Sequence, residues 1–402
     1  MLTTAEATEA IAAAMPAFAA TGVELRLATG RVLRQSVTAE RDQPPFDRVT
    51  MDGIAIQYAS FKTGNRQFRI QGQQHAGDAQ QSLQDSDACI EIMTGAVLPD
   101  NTDCVVPVER TSVEDSVATI EIDYELQQHQ FIHPRGSDHK KDHLILDTGH
   151  RIEAVDIAII ASCGLASVEV SEQPTIAVIS TGNELVAAGA PINDYQIRSS
   201  NGPALVAMLA SHGYTQCQHD HLLDDRQLLE QRLAQHLQES NVLILSGGVS
   251  MGKADFVPEV LAQLGVEMIF HKISQRPGKP MWFGIGPDNQ AVFALPGNPV
   301  STLVCCRQYV IPALADASKH DDKASETAVL SEPYEFKANL SCFLPVRLRS
   351  DATGQLIATP VAMNTSGDFA ALGGTDGYVE LPQNQSNFAT GSAWPLHRWS
   401  NY

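Results

Sequence analysis

From about residue 172 the hydrophobic positions along the chain run together instead of alternating. TIAVIST, VLILSGG, VEMIFHKI and AVFAL are nearly continuous apolar stretches with helical stretches between them. Strands covered by helices on both faces read this way, so residues 172–322 are expected to form a doubly wound α/β domain. Its chemistry should lie in the loops beyond the carboxyl ends of the strands. Residues 40–138 have a different texture: short β-type runs such as FRIQG, CIEIM, CVVPVE and ATIEID are separated by turn residues, with no helical period. They predict a small β domain. Helical patterns flank it at residues 3–19 and 153–163. These are expected to pack together, making residues 1–39 and 139–171 one discontinuous helical domain from which the β domain is inserted. Short strands return near the end (YEFKANL, LPVRLR, LIATPVA, GYVELP), punctuated by Gly, Asp and Pro. Residues 323–402 are read as a small β-barrel or sandwich, and the fold class is α/β plus β, multidomain.

Length agrees with this division, because 402 residues exceed one ordinary core and domains run to roughly 100–200 residues. The 43% hydrophobic content against 18% charged excludes a disordered chain. Charge changes the picture more. The 27 Lys plus Arg against 47 Asp plus Glu give a formal net charge of −20 with no basic patch, so nucleic acid and anionic membrane are not expected partners. An anionic ligand would have to be met locally, by backbone N–H groups, a few cations or a metal ion. Seven scattered cysteines without CxxC spacing argue against a disulfide framework or a zinc site and fit a reducing cytosol. The N-terminal segment carries Glu6 and Glu9 and lacks the basic start of a signal peptide. No run approaches the roughly 18 apolar residues that span a bilayer; a cytoplasmic location is expected.

The candidate chemistry sits at the strand ends. TIAVIS leads into Thr181-Gly182-Asn183-Glu184, where the glycine lets backbone approach a ligand and Glu184 adds a carboxylate. Ser246 closes VLILS and is followed by Gly247-Gly248-Val249-Ser250-Met251-Gly252, with Asp255 beyond, a set able to surround a phosphate. Arg276-Pro277-Gly278-Lys279-Pro280 places two cations around a rigid turn, and Pro296-Gly297-Asn298-Pro299 reads as an N-cap Asn before a proline at the first helical position. Each is also explicable as turn or cap chemistry, but four such loops in one domain point to a binding edge. Glu184, Asp224 and Asp255 near that edge are hard oxygen donors suited to Mg²⁺, which binds through one or two carboxylates plus substrate phosphates; helix capping is the alternative for Asp224 and Asp225. In the β domain, Asp52 before Gly53, Met93-Thr94-Gly95, and Pro134-Arg135-Gly136-Ser137-Asp138 are compatible with plain turn chemistry.

Taken in order, RVTMDGIAI, IMTGAVLPDNTDCVVPVE, PRGSDHKKDHLILDTG, VISTGNELV, IRSSNGPAL, LSGGVSMGKADF, RPGKPMWFG and ALPGNPVSTLV resemble the molybdopterin molybdenumtransferase family, the bacterial MoeA proteins and the E domain of gephyrin. The C-terminal part matches only in length and β character. The resemblance implies insertion of molybdate into adenylyl-molybdopterin with release of AMP, Mg²⁺ dependence, and a homodimer of four-domain subunits whose cleft combines the α/β domain of one subunit with the β domain of the other. It also implies molybdopterin adenylyltransferase and molybdoenzyme acceptors or chaperones as partners. On the matching motif positions it marks Asp52, Thr94, Asp138, Glu184, Asp255 and Lys279, with Asp224 aligned less securely, as functional; Glu184 and Asp255 are the carboxylates expected to hold Mg²⁺. Thr181, Gly182, Ser246, Gly247, Gly248, Ser250, Arg276, Pro277, Gly278, Pro296, Gly297 and Asn298 are expected to bind the cofactor substrate. The chain departs from the pattern at Ile54, where an aromatic is common, at Asn183, where Asp or Ser is frequent, and at Arg276, where Lys is usual. Arg keeps the charge but presents a planar fork. A related adenylyltransferase, a non-catalytic scaffold and a tungsten-specific relative are the rival readings.

Overall fold

The computed structural model describes residues 1–248, 256–321 and 326–400. The chain forms two compact units: Met1–Arg34 with Thr148–Glu153 and Val168–Tyr402, and Gln35–Asp147 with Ala154–Ser167.

The first helix, α1 (Thr4–Ala14), starts at a capping box in which Thr3 and Glu6 satisfy each other's backbone N–H groups. Its buried Ala7 and Ile11, four residues apart on one face, enter the apolar core of the α/β sheet in the larger unit.

The smaller unit is built on β1 (Gly53–Ile56), β2 (Gln67–Gln74), β3 (Ala88–Ile92), β4 (Cys104–Pro107), β5 (Thr111–Glu114) and β6 (Val117–Ile120), in the order β4-β1-β3-β2-β6-β5. Alternation along β1 sends Ile54 and Ile56 into one apolar cluster and Ala55 into another, so both faces of this strand are covered. Gly53 lies opposite Pro107 in the pairing with β4, and a Cβ there would overlap the Val106 carbonyl. The glycine of the Met51-Asp52-Gly53 turn is required by this close approach. Helix α2 (Ala154–Ser162) belongs to this unit. The helical patterns at residues 3–19 and 153–163 fall in different compact units, and the apolar stripe of α1 finds its partners in the α/β core.

In the larger unit, β7 (Ile176–Thr181), α3 (Asn201–Ser211), β8 (Cys217–Leu222), α4 (Arg226–Glu239), β9 (Val242–Ser246), α5 (Val257–Gln263), β10 (Glu267–His271), β11 (Trp282–Ile285) and β12 (Ala291–Leu295) are followed by α6 (Pro299–Cys305), a π-helical turn at Cys306–Val310, and α7 (Ile311–Ala317). The sheet order is β8-β7-β9-β12-β11-β10. The first four strands are parallel, while β11 runs antiparallel to both of its neighbours, β12 and β10. Ile176 and Val178 pack on the face covered by α3, α6 and α7; Ala177 and Ile179 pack on the face covered by α4 and α5. This two-sided burial explains the continuous apolar runs, each large buried side chain contributing about 1.5–3 kcal/mol. β8, reading CQHDHL, is an edge strand with polar positions and gives no such signal.

The last segment is a closed barrel. β13 (Glu326–Leu330), β14 (Ser341–Ser350), β15 (Leu356–Pro360), β16 (Gly377–Leu381) and β17 (Ala393–Arg398) run in the order β14-β15-β13-β17-β16, and β16 pairs back onto β14. Ser341 and Cys342 of β14 also pair in parallel with Gln275 and Arg276, so the barrel is hydrogen-bonded to the loop that carries the predicted cations. No helix among the described residues is long and apolar enough to cross a membrane. All seven cysteines are unpaired; six are buried, and burial pushes the Cys89 thiol up to about 12.

Candidate active site

The carboxyl ends of β7, β9 and β12, which are neighbours in the sheet, open into one cleft of about 590 Å³. Three predicted loops line it, and the loop after β9 contains two glycines where a side chain would collide. Gly247 has φ +100°, and a Cβ there would lie 2.7 Å from the Thr181 carbonyl oxygen. Gly248 has φ +67°, and a Cβ would meet Val257 Cγ2 at 2.7 Å. Gly297 would bring a Cβ to 3.5 Å from the Gly247 Cα. Backbone from the ends of two neighbouring strands is thus closely packed at the floor of the cleft, where no side chain intervenes.

Thr181 and Gly182 line the cleft, as do Glu184, Asp224, Ser246 and the Pro296-Gly297-Asn298 loop. The Glu184 carboxylate folds over Gly182, whose Cβ would lie 2.7 Å from Oε2. His221 holds this turn from beneath, its Nε2 donating to the Gly182 carbonyl at 2.8 Å. Asn183, one of the departures from the family pattern, accepts the Asp224 N–H at 3.1 Å and so joins the ends of the loops after β7 and β8. Capping is done by Asp225, which accepts from the Leu228 N–H at 2.8 Å, leaving Asp224 on the cleft wall. Asn298 stands at the N-cap of α6 with Pro299 following, but its side chain makes no cap hydrogen bond. Its amide reaches Ser366 at 2.8 Å instead. The expected side-chain cap is replaced by this tie to the segment between β15 and β16.

Two hydroxyls of the cleft wall, Thr181 Oγ1 and Ser199 Oγ, are buried without a hydrogen-bond partner among the described residues. An orphaned buried hydroxyl costs about 1–3 kcal/mol, which a ligand oxygen would recover. Ser199 and Asn201 escaped the sequence reading of site residues. Their Ser-Ser-Asn run lies in the matching segment IRSSNGPAL, but before an apolar helix it reads equally as a cap.

The Arg276–Pro280 turn contributes only Pro280 to the cleft lining. Pro277 and Gly278 are buried, whereas Arg276 and Lys279 are exposed, and neither forms an ion pair among the described residues. The turn is fixed from below: Gln275 donates to the Pro277 carbonyl at 3.0 Å and accepts a hydrogen bond from the Tyr309 hydroxyl, with all three buried. Gly278, at φ +94°, has Cys305 Sγ and Gln275 Nε2 where a Cβ would go. Ser250 and Asp255 lie outside the described residues.

Asp52, Thr94 and Asp138 belong to the smaller unit. Thr94 donates to Asp52 Oδ1 twice, from its N–H and its hydroxyl, both at 2.7 Å. The backbone bond, then the hydroxyl bond, hold the Asp52 carboxyl below the usual carboxylate range. Asp138 is 2.8 Å from His133 Nε2, and His133 Nδ1 is 3.0 Å from the Arg48 guanidinium. Arg48 can only donate, so Nδ1 is the acceptor of this contact and Nε2 is left to donate to Asp138. Strand pairing of Arg48 with His133 sets this relay, and the turn before Asp138 is held by Arg135, whose N–H and Nε reach Asp47 and Asp42.

Among the described residues no three His, Cys, Asp or Glu side chains converge as a metal site. Two carboxylates, Glu184 and Asp224, do share the cleft with the orphaned hydroxyls. That donor set fits Mg²⁺ held partly by a ligand's own phosphates.

Fold and site together define a class: a doubly wound α/β protein with a glycine-lined cleft at the strand ends, carrying an inserted β unit and a C-terminal barrel. Family models make it specific. Residues 2–164 match the MoeA N-terminal region (domain I and II), residues 177–316 a probable molybdopterin binding domain, and residues 327–395 the MoeA C-terminal region (domain IV). The chain is 39% identical to the molybdopterin molybdenumtransferase of Synechocystis sp. over 99% of its own length and 100% of that protein's. It is 32% identical to that of Synechococcus elongatus over 91% of each. Among solved structures, the molybdopterin biosynthesis MoeA protein from Pyrococcus horikosii superposes with a TM-score of 0.83 over 100% of both chains at 26% identity. The chain belongs to the molybdopterin molybdenumtransferase (MoeA) family.

Proposed function

We propose that this chain is a molybdopterin molybdenumtransferase, exchanging the adenylate of adenylyl-molybdopterin for molybdate and releasing AMP. The observation that supports this best is the cleft itself, where glycine backbone from neighbouring strand ends and two orphaned hydroxyls line space suited to a diphosphate. In a chain of net charge −20, such neutral donors are what would let an anion bind. Gly247, Gly248 and Gly297 would bring backbone to the phosphates, and Thr181 and Ser199 would add hydroxyls. Glu184, with Asp255 and Asp224, would hold Mg²⁺, which would supply charge neutralisation at the phosphoanhydride when bound. Arg276 and Lys279 would attract molybdate or a pterin phosphate. The residues act by positioning and electrostatics, without a covalent enzyme intermediate. Asp52, Thr94 and Asp138 are assigned functional roles on the matched motifs. The protein is proposed to work as a cytoplasmic homodimer, receiving its substrate from a molybdopterin adenylyltransferase and passing its product to molybdoenzymes or their chaperones.

The test is AMP release from purified protein given adenylyl-molybdopterin and Mg²⁺, with and without molybdate, coupled to reconstitution of an apo-molybdoenzyme. Molybdate-dependent release with reconstitution is expected. Tight binding without release would overturn the transferase reading in favour of a scaffold, and AMP consumption from ATP would favour an adenylyltransferase. Sedimentation gives the oligomeric state in the same preparation.

A further inference from the structure

Asn201 is the first residue of α3 and lies on the cleft wall. Its side-chain Nδ2 is 2.9 Å from Ser246 Oγ, 2.8 Å from the Gly297 carbonyl oxygen and 3.2 Å from Thr302 Oγ1. These acceptors belong to three separate segments: the end of β9, the loop after β12, and α6. The amide has two hydrogens. Gly297 oxygen can only accept, so one hydrogen is committed there; the other is shared between two hydroxyls that are themselves 3.4 Å apart. Reversing the amide would set two carbonyl oxygens face to face at Gly297, so its orientation is determined. Ser246 and Thr302 are buried at 2% and 0% exposure, so water cannot readily replace the amide.

The contact is not helix capping. Ser200 occupies the N-cap of α3 and makes no side-chain cap bond, while the Asn201 amide serves loops outside its own helix. Two of the segments it ties carry or adjoin Gly247 and Gly297, the backbones stacked in the cleft floor, where the Gly247 N–H also donates to the Leu295 carbonyl at 3.3 Å.

We propose that Asn201 is the positioning residue of the phosphate cradle, a side chain that touches no reacting atom but fixes the spacing between the glycine loops after β9 and β12. The inference rests on the transferase reading of this cleft. Without the amide, the two loops lose their common donor, and the backbone groups meant for a diphosphate no longer share one spacing. Asn201→Asp, equal in size, sets an oxygen against the Gly297 carbonyl and loses at least as much as Asn201→Ala.

The experiment compares wild type, Asn201→Ala, Asn201→Asp and a control, Leu233→Ala, which removes a fully buried side chain of α4 in the core on the other face of the sheet. AMP affinity is measured by calorimetry, the KM for adenylyl-molybdopterin is set against the rate of AMP release, and backbone hydrogen exchange is followed in residues 242–248 and 291–298 without ligand. The Asn201 variants are expected to weaken AMP binding about tenfold or more and to raise KM more than they slow release. Exchange in both loops should quicken, while Leu233→Ala lowers the melting temperature and leaves AMP affinity alone. Unchanged affinity and unchanged exchange in Asn201→Ala, or an equal loss of affinity in Leu233→Ala, would overturn the assignment. Wild type that neither binds nor releases AMP would overturn the transferase reading; the ligand-free exchange data would still decide whether Asn201 holds the loops.

Discussion

Gly247→Ala should damage the cleft far more than a glycine substitution elsewhere, and the structure gives the size of the effect. At φ +100° an L-residue is strained by about 1–3 kcal/mol. The new methyl would also stand 2.7 Å from the Thr181 carbonyl oxygen and 2.9 Å from Thr181 Oγ1. Thr181 cannot yield easily, because β7 is paired with β8 through Thr181–Leu222 and with β9 through Ser180–Ser246. Gly247 must move instead, stretching its hydrogen bond to Leu295; a forced shift in packed surroundings costs about 1–3 kcal/mol more. The sum is roughly 2–6 kcal/mol. Gly189→Ala separates the two causes. That residue has a similar φ of +85° but nothing within 4 Å of the added Cβ, so only the backbone cost of about 1–2 kcal/mol remains. Urea denaturation of both variants, beside AMP titration by calorimetry, is the assay. Gly247→Ala is expected to be the less stable and to bind AMP about tenfold more weakly or worse, since about 1.4 kcal/mol is a factor of ten. Equal stability losses and wild-type AMP affinity in Gly247→Ala would refute the reasoning.

Tyr309→Phe strips the buried Gln275 carbonyl of its donor and should cost about 1–3 kcal/mol in urea denaturation; an unchanged midpoint would show the bond to be dispensable. Burial lowers the pKa of His212 and of His219, the carboxylate of Asp220 partly opposing it at His219. The unfolded chain therefore binds more protons near their ordinary value of 6.5, and the stability these rings confer is complete above it and lost as pH falls through their lower folded values. The melting temperature should fall between pH 7 and pH 5, and a flat profile would contradict the burial argument. Thr94→Val removes the hydroxyl bond to Asp52 but keeps the N–H bond, so the Asp52 titration followed by NMR should move up toward the ordinary carboxylate range without reaching it. No movement would mean that the backbone bond alone sets it.

What the sequence disclosed follows from burial. β7, β9 and β12 are covered on both faces and announce themselves as apolar runs, and the glycine loops after them were legible as loops at the strand ends. β8 was not, because an edge strand can carry His219, Asp220 and His221 without exposing a core; β11 was hidden inside a motif rich in glycine and proline. Ten predicted residues, from Thr181 to Asn298, line one cleft. Arg276 and Lys279 do not, since sequence proximity to a strand end says nothing about which way a turn faces. Asn201 was missed because its partners, Ser246, Gly297 and Thr302, are up to 101 residues away, and no local pattern records such a bond. The seat of α1 was hidden for the same reason, since Ala7 and Ile11 make long-range contacts with the sheet core.

The pairing of Gln275 and Arg276 with Ser341 and Cys342 makes the register of the barrel a determinant of surface charge. Side chains alternate across a strand, and here Gln275 faces the interior while Arg276 faces out. A slip of one residue would bury a guanidinium and expose a carboxamide. The barrel strand that pairs with this turn is supplied some sixty residues later in the chain, so β14 and the orientation of the turn's cation form one unit.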